Sequence, residues 1–392
     1  MTPAVSIATA VAPRLLIITE IIAPYRIPVF NALAQRSEID LQVIFLSEND
    51  PTLRQWMVYK NEITFPYSVL PHWRQRLGKY NILLNRAVHS TLDEIKPDVV
   101  VCGGYNYPAA WSAAYWAKRR SVPFLLWTES TAMERRGSYF HVESLKKRFL
   151  NLCHAFIVPG KSSLDYLKQL GVSQQRIVTA RNAVDNNFYS SASQAVDLND
   201  SEIRARYKLP PRYFLFVGRL VKEKGIFDLL EAYEQLKLEI RATAGLVFVG
   251  DGSDARELQK RTSKIQPGNV RLLGFVHREE LPKIYTLAEA LIFPTHTDPW
   301  GLVVNEAMAC GLPVIATNVA GCTLDLVQDN WNGFVVERGD PRSLAAVMER
   351  LATDEELRRQ MGNRSRERIQ NYSPEIWAQG IVDAVEAVLA RK

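Results

Sequence analysis

Residues 214–225 read FLFVGRLVKEKG, a run that predicts a buried strand followed at once by a charged turn. The strand ends at Gly218, a residue type that lets backbone approach a ligand closely. Arg219 and Lys224 follow before Gly225 closes the turn. Ligands of open parallel sheets bind beyond the carboxyl ends of the strands, so both cations stand where an anionic group would be neutralised. A surface turn with scattered basic residues is the alternative.

Strand-length apolar runs alternate with helix-period segments in both directions from this motif. The stretches 27–35 and 107–119 carry apolar residues three and four positions apart, as amphipathic helices require. Strand, helix, strand repeated in this way predicts an α/β chain with doubly wound parallel sheets. The predicted strands are 14–19, 41–46, 98–102, 124–128, 155–158, 213–217, 245–249, 270–272, 290–293, 313–316 and 333–335.

The domain organisation follows from a break in this alternation. A chain of 392 residues is too long for one ordinary core. The polar, Ser- and Asn-rich stretch 183–208 predicts a linker between two Rossmann-like domains, 1–182 and 209–373, which face each other across a cleft. The last segment, 374–392, predicts a helix that packs back on the N-terminal domain.

Composition excludes several classes of protein. Hydrophobic residues make up 47% and charged residues 23% of the chain, which rules out a disordered tail, a collagen-like fibre and a disulfide scaffold. The 4 cysteines lie far apart without metal-ligand spacing, and so few favour a reducing, cytoplasmic compartment. No apolar run approaches the roughly 18 residues of a membrane-spanning helix.

The basic residues are concentrated in the first half of the chain. Residues 1–182 carry 22 Lys/Arg against 13 Asp/Glu, whereas the overall net charge is only +6. This excess could meet an anionic membrane surface or a lipid phosphate, and Trp73 with Arg74, Arg76 and Lys79 is the best basic–aromatic patch for such a contact. A solvated surface is the alternative. No nucleic-acid-binding module is recognisable, so no nucleic-acid partner is expected.

A second charged motif lies at 293–311, FPTHTDPWGLVVNEAMACG. Seven residues separate Asp298 from Glu306, and a helix begins near Leu302. Helix N-terminal amides bind phosphate, and a carboxylate accepts paired hydrogen bonds from vicinal hydroxyls of a ribose or sugar. His296 stands close enough to Asp298 to be a donor-site side chain. A capped surface helix is the alternative.

Together the two motifs resemble the donor site of retaining glycosyltransferases of family 4, which have the GT-B fold. The E-x7-E motif of that family is present here as Asp298-x7-Glu306. The resemblance covers most of residues 155–375 and is weak in the first half. Further matching runs are LVFVGDG at 246–252, LLGFV at 272–276, AMACGLPVIATNVAG at 307–321 and LVQDNWNGFVV at 326–336.

The resemblance implies a role for each matching residue. Arg219 and Lys224 would grip the donor diphosphate and stabilise the departing nucleotide. Glu306 would bind the ribose hydroxyls, and Asp298 would touch the donor sugar. Such enzymes need no bound metal and no cofactor beyond the nucleotide-sugar substrate. The remaining donor-site residues are the backbone amides of Gly301, Leu302 and Val303 at the helix start, and Phe275 and Val276 in the base pocket.

The sequence departs from the family pattern at two places. Asp298 is one methylene shorter than the family's glutamate, a departure that would change the choice of donor or the position of the sugar. The first domain has ITEIIAPYRIPVF at 18–30 in place of a glycine-rich loop. Glu129, in LLWTEST at 125–131, is the nearest polar candidate for contact with an acceptor hydroxyl or the donor sugar. An N-cap or a buried ion pair is an equal alternative for Glu129.

The function expected from these observations is retaining, metal-independent sugar transfer. The donor would be a UDP-sugar more readily than a GDP-sugar, and the acceptor a glycan or lipid-linked hydroxyl. By family analogy the setting would be bacterial surface glycan, glycolipid or exopolysaccharide assembly at the inner face of the cell membrane. Two alternatives are a sugar-nucleotide epimerase or hydrolase on the same fold and a non-enzymatic anionic-surface binder.

Overall fold

The computed structural model describes residues 11–50, 57–77, 80–134, 140–196, 201–263, 265 and 269–391. It contains two α/β domains, each built on a parallel sheet, as the alternating pattern predicts. The strands are β1 Arg14–Thr19, β2 Asp40–Phe45, β3 Tyr67–Val69, β4 His72–Leu77, β5 Tyr80–Asn85, β6 Val99–Gly103, β7 Phe124–Trp127, β8 Ala155–Val158, β9 Ile177–Thr179, β10 Tyr213–Val217, β11 Gly245–Val249, β12 Val270–Leu272, β13 Ala290–Phe293, β14 Val314–Thr317 and β15 Gly333–Val336.

Helices follow most of these strands and cover both faces of each sheet. They are α1 Ile27–Ala34, α2 Val88–Ile95, α3 Pro108–Arg120, α4 Phe140–Leu150, α5 Lys161–Gln169, α6 Asn186–Gln194, α7 Ser201–Tyr207, α8 Ile226–Gln235, α9 Leu238–Thr243, α10 Ala255–Thr262, α11 Leu281–Thr286, α12 Leu302–Ala309, α13 Thr323–Leu326, α14 Pro341–Thr353, α15 Glu355–Ile369 and α16 Pro374–Leu389.

The first sheet has seven parallel strands in the order β3-β2-β1-β6-β7-β8-β9. The strand β1 lies between β2 and β6, with Ile17 beside both Val43 and Val101. All three side chains are fully buried because helices cover both sheet faces. The order reverses between β1 and β6, so a ligand crevice is expected at their carboxyl ends.

The second sheet has six parallel strands in the order β12-β11-β10-β13-β14-β15. Its central strand β10 pairs with β11 on one side and β13 on the other. The order reverses between β10 and β13. The two charged motifs follow these two strands and therefore leave the sheet at neighbouring positions on one edge.

The stretch 183–208, which the sequence predicts as a linker, contains the helices α6 and α7. The helix α6 packs on α11 and α12 of the second domain, and Tyr189 joins that domain's core. The sequence does not predict this packing, because α6 is mostly polar and has few apolar residues on its buried face. The last helix, α16, packs on α1, β8 and β9, and it places Trp377 and Ile381 in the core of the first domain.

Three elements of the first domain escape the sequence prediction: β3, β9 and the antiparallel hairpin of β4 and β5. This hairpin contains the predicted basic–aromatic patch. Trp73 is exposed, but Arg74 is largely buried and paired with Asp50 at 2.5 Å, so it is not available to a lipid surface. Lys79 lies outside the described residues.

The carboxyl edges of the two sheets meet through buried polar contacts. Asn305 Nδ2 on α12 donates a hydrogen bond to the carbonyl of Asn182, just beyond β9, at 2.9 Å. Asp325 on α13 accepts a hydrogen bond from the backbone amide of Lys161, the first residue of α5, at 2.9 Å. No helix among the described residues is long and apolar enough to cross a membrane.

Candidate donor and acceptor sites

Hydrogen bonds join the loop after β10 to the loop after β13 at the edge of the second sheet. The carbonyl of Glu223 accepts hydrogen bonds from the backbone amide of His296 at 2.9 Å and from Thr295 Oγ1 at 3.2 Å. Gly225 has a φ of 69°, and a Cβ there would lie 1.9 Å from the carbonyl oxygen of Pro294. Only glycine fits this close approach. The two predicted motifs therefore form one site.

The two cations of the first motif differ in whether a carboxylate pairs with them. Lys224 Nζ pairs with Asp298 Oδ2 at 2.5 Å and donates to the carbonyl of Thr297 at 3.2 Å. The other Asp298 oxygen accepts the backbone amide of Trp300 at 3.1 Å. Arg219 is exposed, and its side chain forms no ion pair or hydrogen bond with any described residue, although its backbone carbonyl accepts the amide of Val221 at 2.9 Å. Asp298 therefore holds Lys224 in place, whereas Arg219 is free to reach a ligand.

The start of α12 lies close to Lys224, because its partner Asp298 also accepts the amide of Trp300, two residues before the helix. Gly301 precedes the helix with a φ of 98°, and a Cβ there would lie 2.4 Å from the ring of Phe293. Leu302 and Val303, in the first turn, are half-buried. Amides of a first helical turn have no intrahelical acceptor, so they can donate to a sugar or phosphate oxygen.

Glu306 lies one turn further along α12 and is held by two tyrosines. Tyr285 Oη donates a hydrogen bond to Glu306 Oε2 at 2.7 Å, and the hydroxyl of Tyr189 supplies a second. Burial raises the pKa of Glu306 to about 7, against these hydrogen bonds and the charge of Arg278. The sequence analysis missed Tyr189 because it lies in the predicted linker, and only its apolar neighbour Phe188 hints at a packed face.

The other predicted donor-site residues are less open to a ligand. Phe275 is 43% exposed, with its ring 5.3 Å from that of His277, so it can offer a face to a base. Val276 is buried in the core and can contribute backbone only. The Nε2 of His296 contacts Asp228 Oδ2 at 2.5 Å, an interaction within the second domain. Gly218, with a φ of 155°, ends β10 as expected.

Glu129 belongs to a polar network at the edge of the first sheet. Its Oε1 pairs with Arg26 Nη2 and accepts Asn182 Nδ2 at 3.1 Å. Arg26 also donates to Asn182 Oδ1 at 2.9 Å, and its guanidinium lies 4.4 Å from the centroid of the Trp127 ring. Glu129 is thus a half-buried ion-pair carboxylate, the alternative that the sequence left open, and it lies beside the cleft.

This network continues into the second domain. Asn182 and Asn305 are both fully buried. The side-chain oxygen of Asn305, Oδ1, accepts a hydrogen bond from Trp300 Nε1 at 2.9 Å. Trp300 lies two residues after Asp298 in the loop between β13 and α12. A chain of hydrogen bonds therefore links the Glu129 carboxylate to the loop that positions Lys224.

The crevice between β1 and β6 contains a second cluster that the sequence analysis missed. Glu20, just beyond β1, accepts a hydrogen bond from the Tyr107 hydroxyl and pairs with Arg74 Nη2 at 3.3 Å. Arg74 is held in turn by Asp50, which is 2% exposed. Nothing in the sequence indicates this cluster, because Arg74 comes from the unpredicted hairpin. Glu20 is 32% exposed and faces the position where ligands bind doubly wound sheets.

Within the part of the chain that the structure describes, no three or more His, Cys, Asp or Glu side chains come together in a metal-binding arrangement. The cysteines at 102, 153, 310 and 322 are all buried, and burial raises the pKa of each thiol.

Comparison with known proteins agrees with this architecture. Residues 199–368 match a family profile described as "Glycosyl transferases group 1", and residues 31–188 match one described as "Glycosyltransferase Family 4". The whole chain superimposes on the crystal structure of Anabaena Alr3699/HepE in complex with UDP with a TM-score of 0.75, at 19% identity, over 95% of this chain and 99% of that one. The fold is therefore that of the GT-B glycosyltransferases, as the sequence predicts.

The chain belongs to glycosyltransferase family 4, and the expectation drawn from its motifs is confirmed. It is 26% identical over 238 residues to the capsular polysaccharide biosynthesis glycosyltransferase CapM of Staphylococcus aureus, a match that covers 60% of this chain and 62% of that protein. It is 32% identical over 163 residues to the alpha-D-kanosaminyltransferase of Streptomyces kanamyceticus, covering 41% and 42%. The chain thus spans less than two thirds of the length of these relatives.

Proposed function

We propose that this glycosyltransferase moves a sugar from a nucleotide-diphosphate donor to an acceptor hydroxyl with retention of the anomeric configuration. One observation carries the proposal: Arg219, whose side chain has no partner among the described residues, follows β10 in the same turn as Lys224, which Asp298 holds near the start of α12. The negative charge of a diphosphate would be neutralised by these cations and by the helix N-terminus. Glu306, one turn along α12, offers the hydrogen-bond acceptors for the ribose hydroxyls.

The site residues act by positioning and by stabilising charge. The acceptor oxygen forms its bond to the sugar C1 as the bond from C1 to the diphosphate oxygen breaks, and the acceptor proton passes to that leaving oxygen on the same face. Arg219 and Lys224 stabilise the negative charge that the leaving diphosphate gains, which is the largest contribution such a site makes. Asp298 aims Lys224, and the Gly301–Val303 amides hold the sugar or phosphate. Domain closure would exclude water and limit hydrolysis of the donor.

The donor in this proposal is a UDP-sugar rather than a GDP-sugar. Support comes from the structural neighbour Alr3699/HepE, which has been crystallised with UDP and with UDP-glucose. The proposed enzyme needs no metal ion and no cofactor, because the Arg219 and Lys224 charges and the α12 dipole would neutralise the diphosphate.

The acceptor in this proposal is a glycan or lipid-linked hydroxyl, used in surface glycan assembly at the inner face of the cell membrane. The name of the CapM relative, a capsular polysaccharide biosynthesis enzyme, supports this class. The basic first domain would contact the anionic membrane, and the cross-strand pair of Trp73 and Leu84, 51% and 42% exposed, would add apolar contact.

The test is a panel of UDP- and GDP-sugars, with nucleotide release measured with and without candidate glycan acceptors. We expect release that depends on both a UDP-sugar and an acceptor, and that survives EDTA. Release independent of any acceptor would indicate a hydrolase, and loss of activity with EDTA would contradict the metal-independent mechanism. Binding to anionic liposomes without affinity for any sugar nucleotide would favour a surface-binding protein instead.

A further inference from the structure

The two domains also meet at the nucleoside end of the proposed donor site, through one turn of the first domain. Arg278 Nη2 pairs with Glu62 Oε1 at 2.5 Å. Next to it, the Tyr59 hydroxyl hydrogen-bonds the carboxylate of Glu279. Arg278 and Glu279 follow Val276 by two and three residues in the segment expected to line the base pocket. The first domain therefore reaches across the cleft to the wall of that pocket.

The turn that contains Glu62 is held in the first domain by hydrogen bonds and by packing of a neighbouring aromatic ring. Asn31 on α1 donates its Nδ2 to the carbonyl of Glu62 at 2.8 Å and accepts the backbone amide of Thr64 at 2.9 Å. Phe65 is buried against the ring of Phe30, with ring centroids 5.4 Å apart. A contact made by this turn therefore depends on the position of the whole first domain.

Arg278 is packed as well as paired. Its guanidinium lies 4.4 Å from the centroid of the Tyr59 ring and 5.0 Å from that of Phe188, so one aromatic ring from each domain borders it. Stacking of this kind fixes the planar guanidinium. The charge of Arg278 also opposes the effect of burial on Glu306 and lowers the pKa of that carboxyl. Arg278 thus favours the ionised form that accepts hydrogen bonds from a ribose.

We propose that Glu62 and Arg278 are positioning residues that complete the nucleoside pocket across the domain boundary. This ion pair is the Glu62–Arg278 clasp. Glu62 fixes Arg278 beside the pocket wall, and the positive charge of Arg278 stabilises the ionised form of Glu306. The pocket that holds the nucleoside is then fully assembled only when the two domains are closed. This inference rests on the proposed function of the donor site, and it assigns to the first domain a part in nucleotide binding.

The predicted effect is larger than that of an ordinary surface ion pair. An exposed pair contributes little to affinity, roughly a factor of two to five. Arg278 is only 22% exposed and acts on Glu306 as well, so its loss should remove both the clasp and the support of the carboxylate. Glu62 acts only through Arg278, so its loss should have a smaller effect that disappears when Arg278 is already neutral.

The test uses the full-length variants Glu62→Gln, Arg278→Gln and the double variant, with UDP affinity measured by calorimetry and donor KM and kcat by steady-state kinetics. We expect Arg278→Gln to raise the UDP Kd and the donor KM about tenfold and Glu62→Gln about threefold, with the double variant no worse than Arg278→Gln. The KM for the acceptor should stay within twofold. Arg278→Lys, which keeps the charge, should recover part of the affinity.

The matched control is Arg206→Gln, which breaks a 2.5 Å pair with Glu280 that lies wholly within the second domain. It should leave UDP affinity unchanged. Unchanged affinity in Glu62→Gln and Arg278→Gln, or losses that simply add in the double variant, would overturn the clasp while leaving the proposed function intact. A wild-type protein that binds neither UDP nor GDP would overturn the proposed function and the clasp with it.

Discussion

The edges of the two sheets that face the cleft differ in how their charges are paired. In the second domain, Arg219 has no partner among the described residues, and Lys224 has one carboxylate. In the first domain the cleft-facing cations Arg26 and Arg74 are each tied to carboxylates and are only 12% and 10% exposed. One edge has an unpaired positive charge ready for an anion, whereas the other is an internally neutralised polar surface.

In the proposed function, this difference between the two edges corresponds to different ligands for the two domains. A diphosphate gains most where a cation is free, because no existing ion pair must be broken to bind it. A neutral hydroxyl-rich acceptor is better served by fixed carboxylates such as Glu20 and Glu129, whose remaining lone pairs can accept hydrogen bonds. The large basic excess of the first half does not contradict this division, because the cations in its cleft are already paired.

The largest effect should follow from removing the second domain's cations. Arg219→Ala or Lys224→Ala should lower kcat by roughly 100- to 1,000-fold, since each removes charge opposite the leaving diphosphate. Arg342→Ala, an exposed arginine on α14, is the control and should leave kcat unchanged. Turnover is measured as UDP release in the presence of acceptor. Near-normal turnover in both cation variants would contradict the claim that the second domain's cations bind the diphosphate.

The hydrogen-bonded link between the two edges should be the next most sensitive feature. Asn305→Leu leaves Trp300 Nε1 and the carbonyl of Asn182 buried without partners, which should lower the free energy of unfolding by about 2–4 kcal/mol. Urea titration measures this change. Asn363→Leu, at an exposed position of α15, is the matched control. Equal stabilities of the two variants would show that the link is not structural.

If Glu306 binds the ribose as proposed, its raised pKa should make nucleotide binding dependent on pH. With a pKa of about 7, the ionised fraction that can accept ribose hydroxyls rises between pH 6 and pH 8, so UDP affinity should rise roughly tenfold over that range relative to Glu306→Gln. Titration of the UDP phosphate affects both proteins equally and cancels in the ratio. Parallel pH profiles for the two proteins would rule out Glu306 as the ribose ligand.

The same carboxyl should affect stability in the opposite direction. Its pKa in the folded protein, about 7, lies above the ordinary glutamate value of 4.5, so the folded state retains a proton that the unfolded state releases. Relative to Glu306→Gln, the wild type should therefore lose stability as the pH rises from about 4.5 through 7, by up to about 3 kcal/mol. Thermal midpoints of both proteins across this range provide the measurement.

The smallest effects should come from the first domain's carboxylates. Glu129→Gln and Glu20→Gln should raise the acceptor KM roughly two- to tenfold, because each weakens hydrogen bonds to neutral hydroxyls rather than a charge interaction. The donor KM should stay within twofold for both. A larger change in the donor KM than in the acceptor KM would place these carboxylates in the donor site and reverse the division between the domains.

The convergence of the two motifs in the proposed donor site was predictable from sequence because the residues of each motif are close together in the chain. Arg219 and Lys224 lie in one turn, and Asp298 and Glu306 lie in one loop and helix, so the strand–turn–helix pattern alone brings each pair together. The pattern could not show that both Asp298 oxygens are occupied by Lys224 and the Trp300 amide. That fact depends on how the two loops pack.

The polar clusters of the proposed acceptor side were not predictable because their contacts are long-range. Arg26 and Glu129 are separated by 103 positions, and Asn182 meets both from beyond β9. The Glu20 cluster needs Arg74 from a hairpin whose first strand, HWRQRL at 72–77, lacks the apolar–polar alternation that would predict a strand. Local periodicity identifies elements, but it does not say which loop ends converge at a sheet edge.

The most direct test of the central claim is a crystal structure of the protein soaked with UDP. We expect the diphosphate within hydrogen-bond distance of Arg219 and Lys224 at the start of α12, with the ribose hydroxyls on Glu306. Nucleotide bound at the first domain's edge, or held without contact to either cation, would contradict the account.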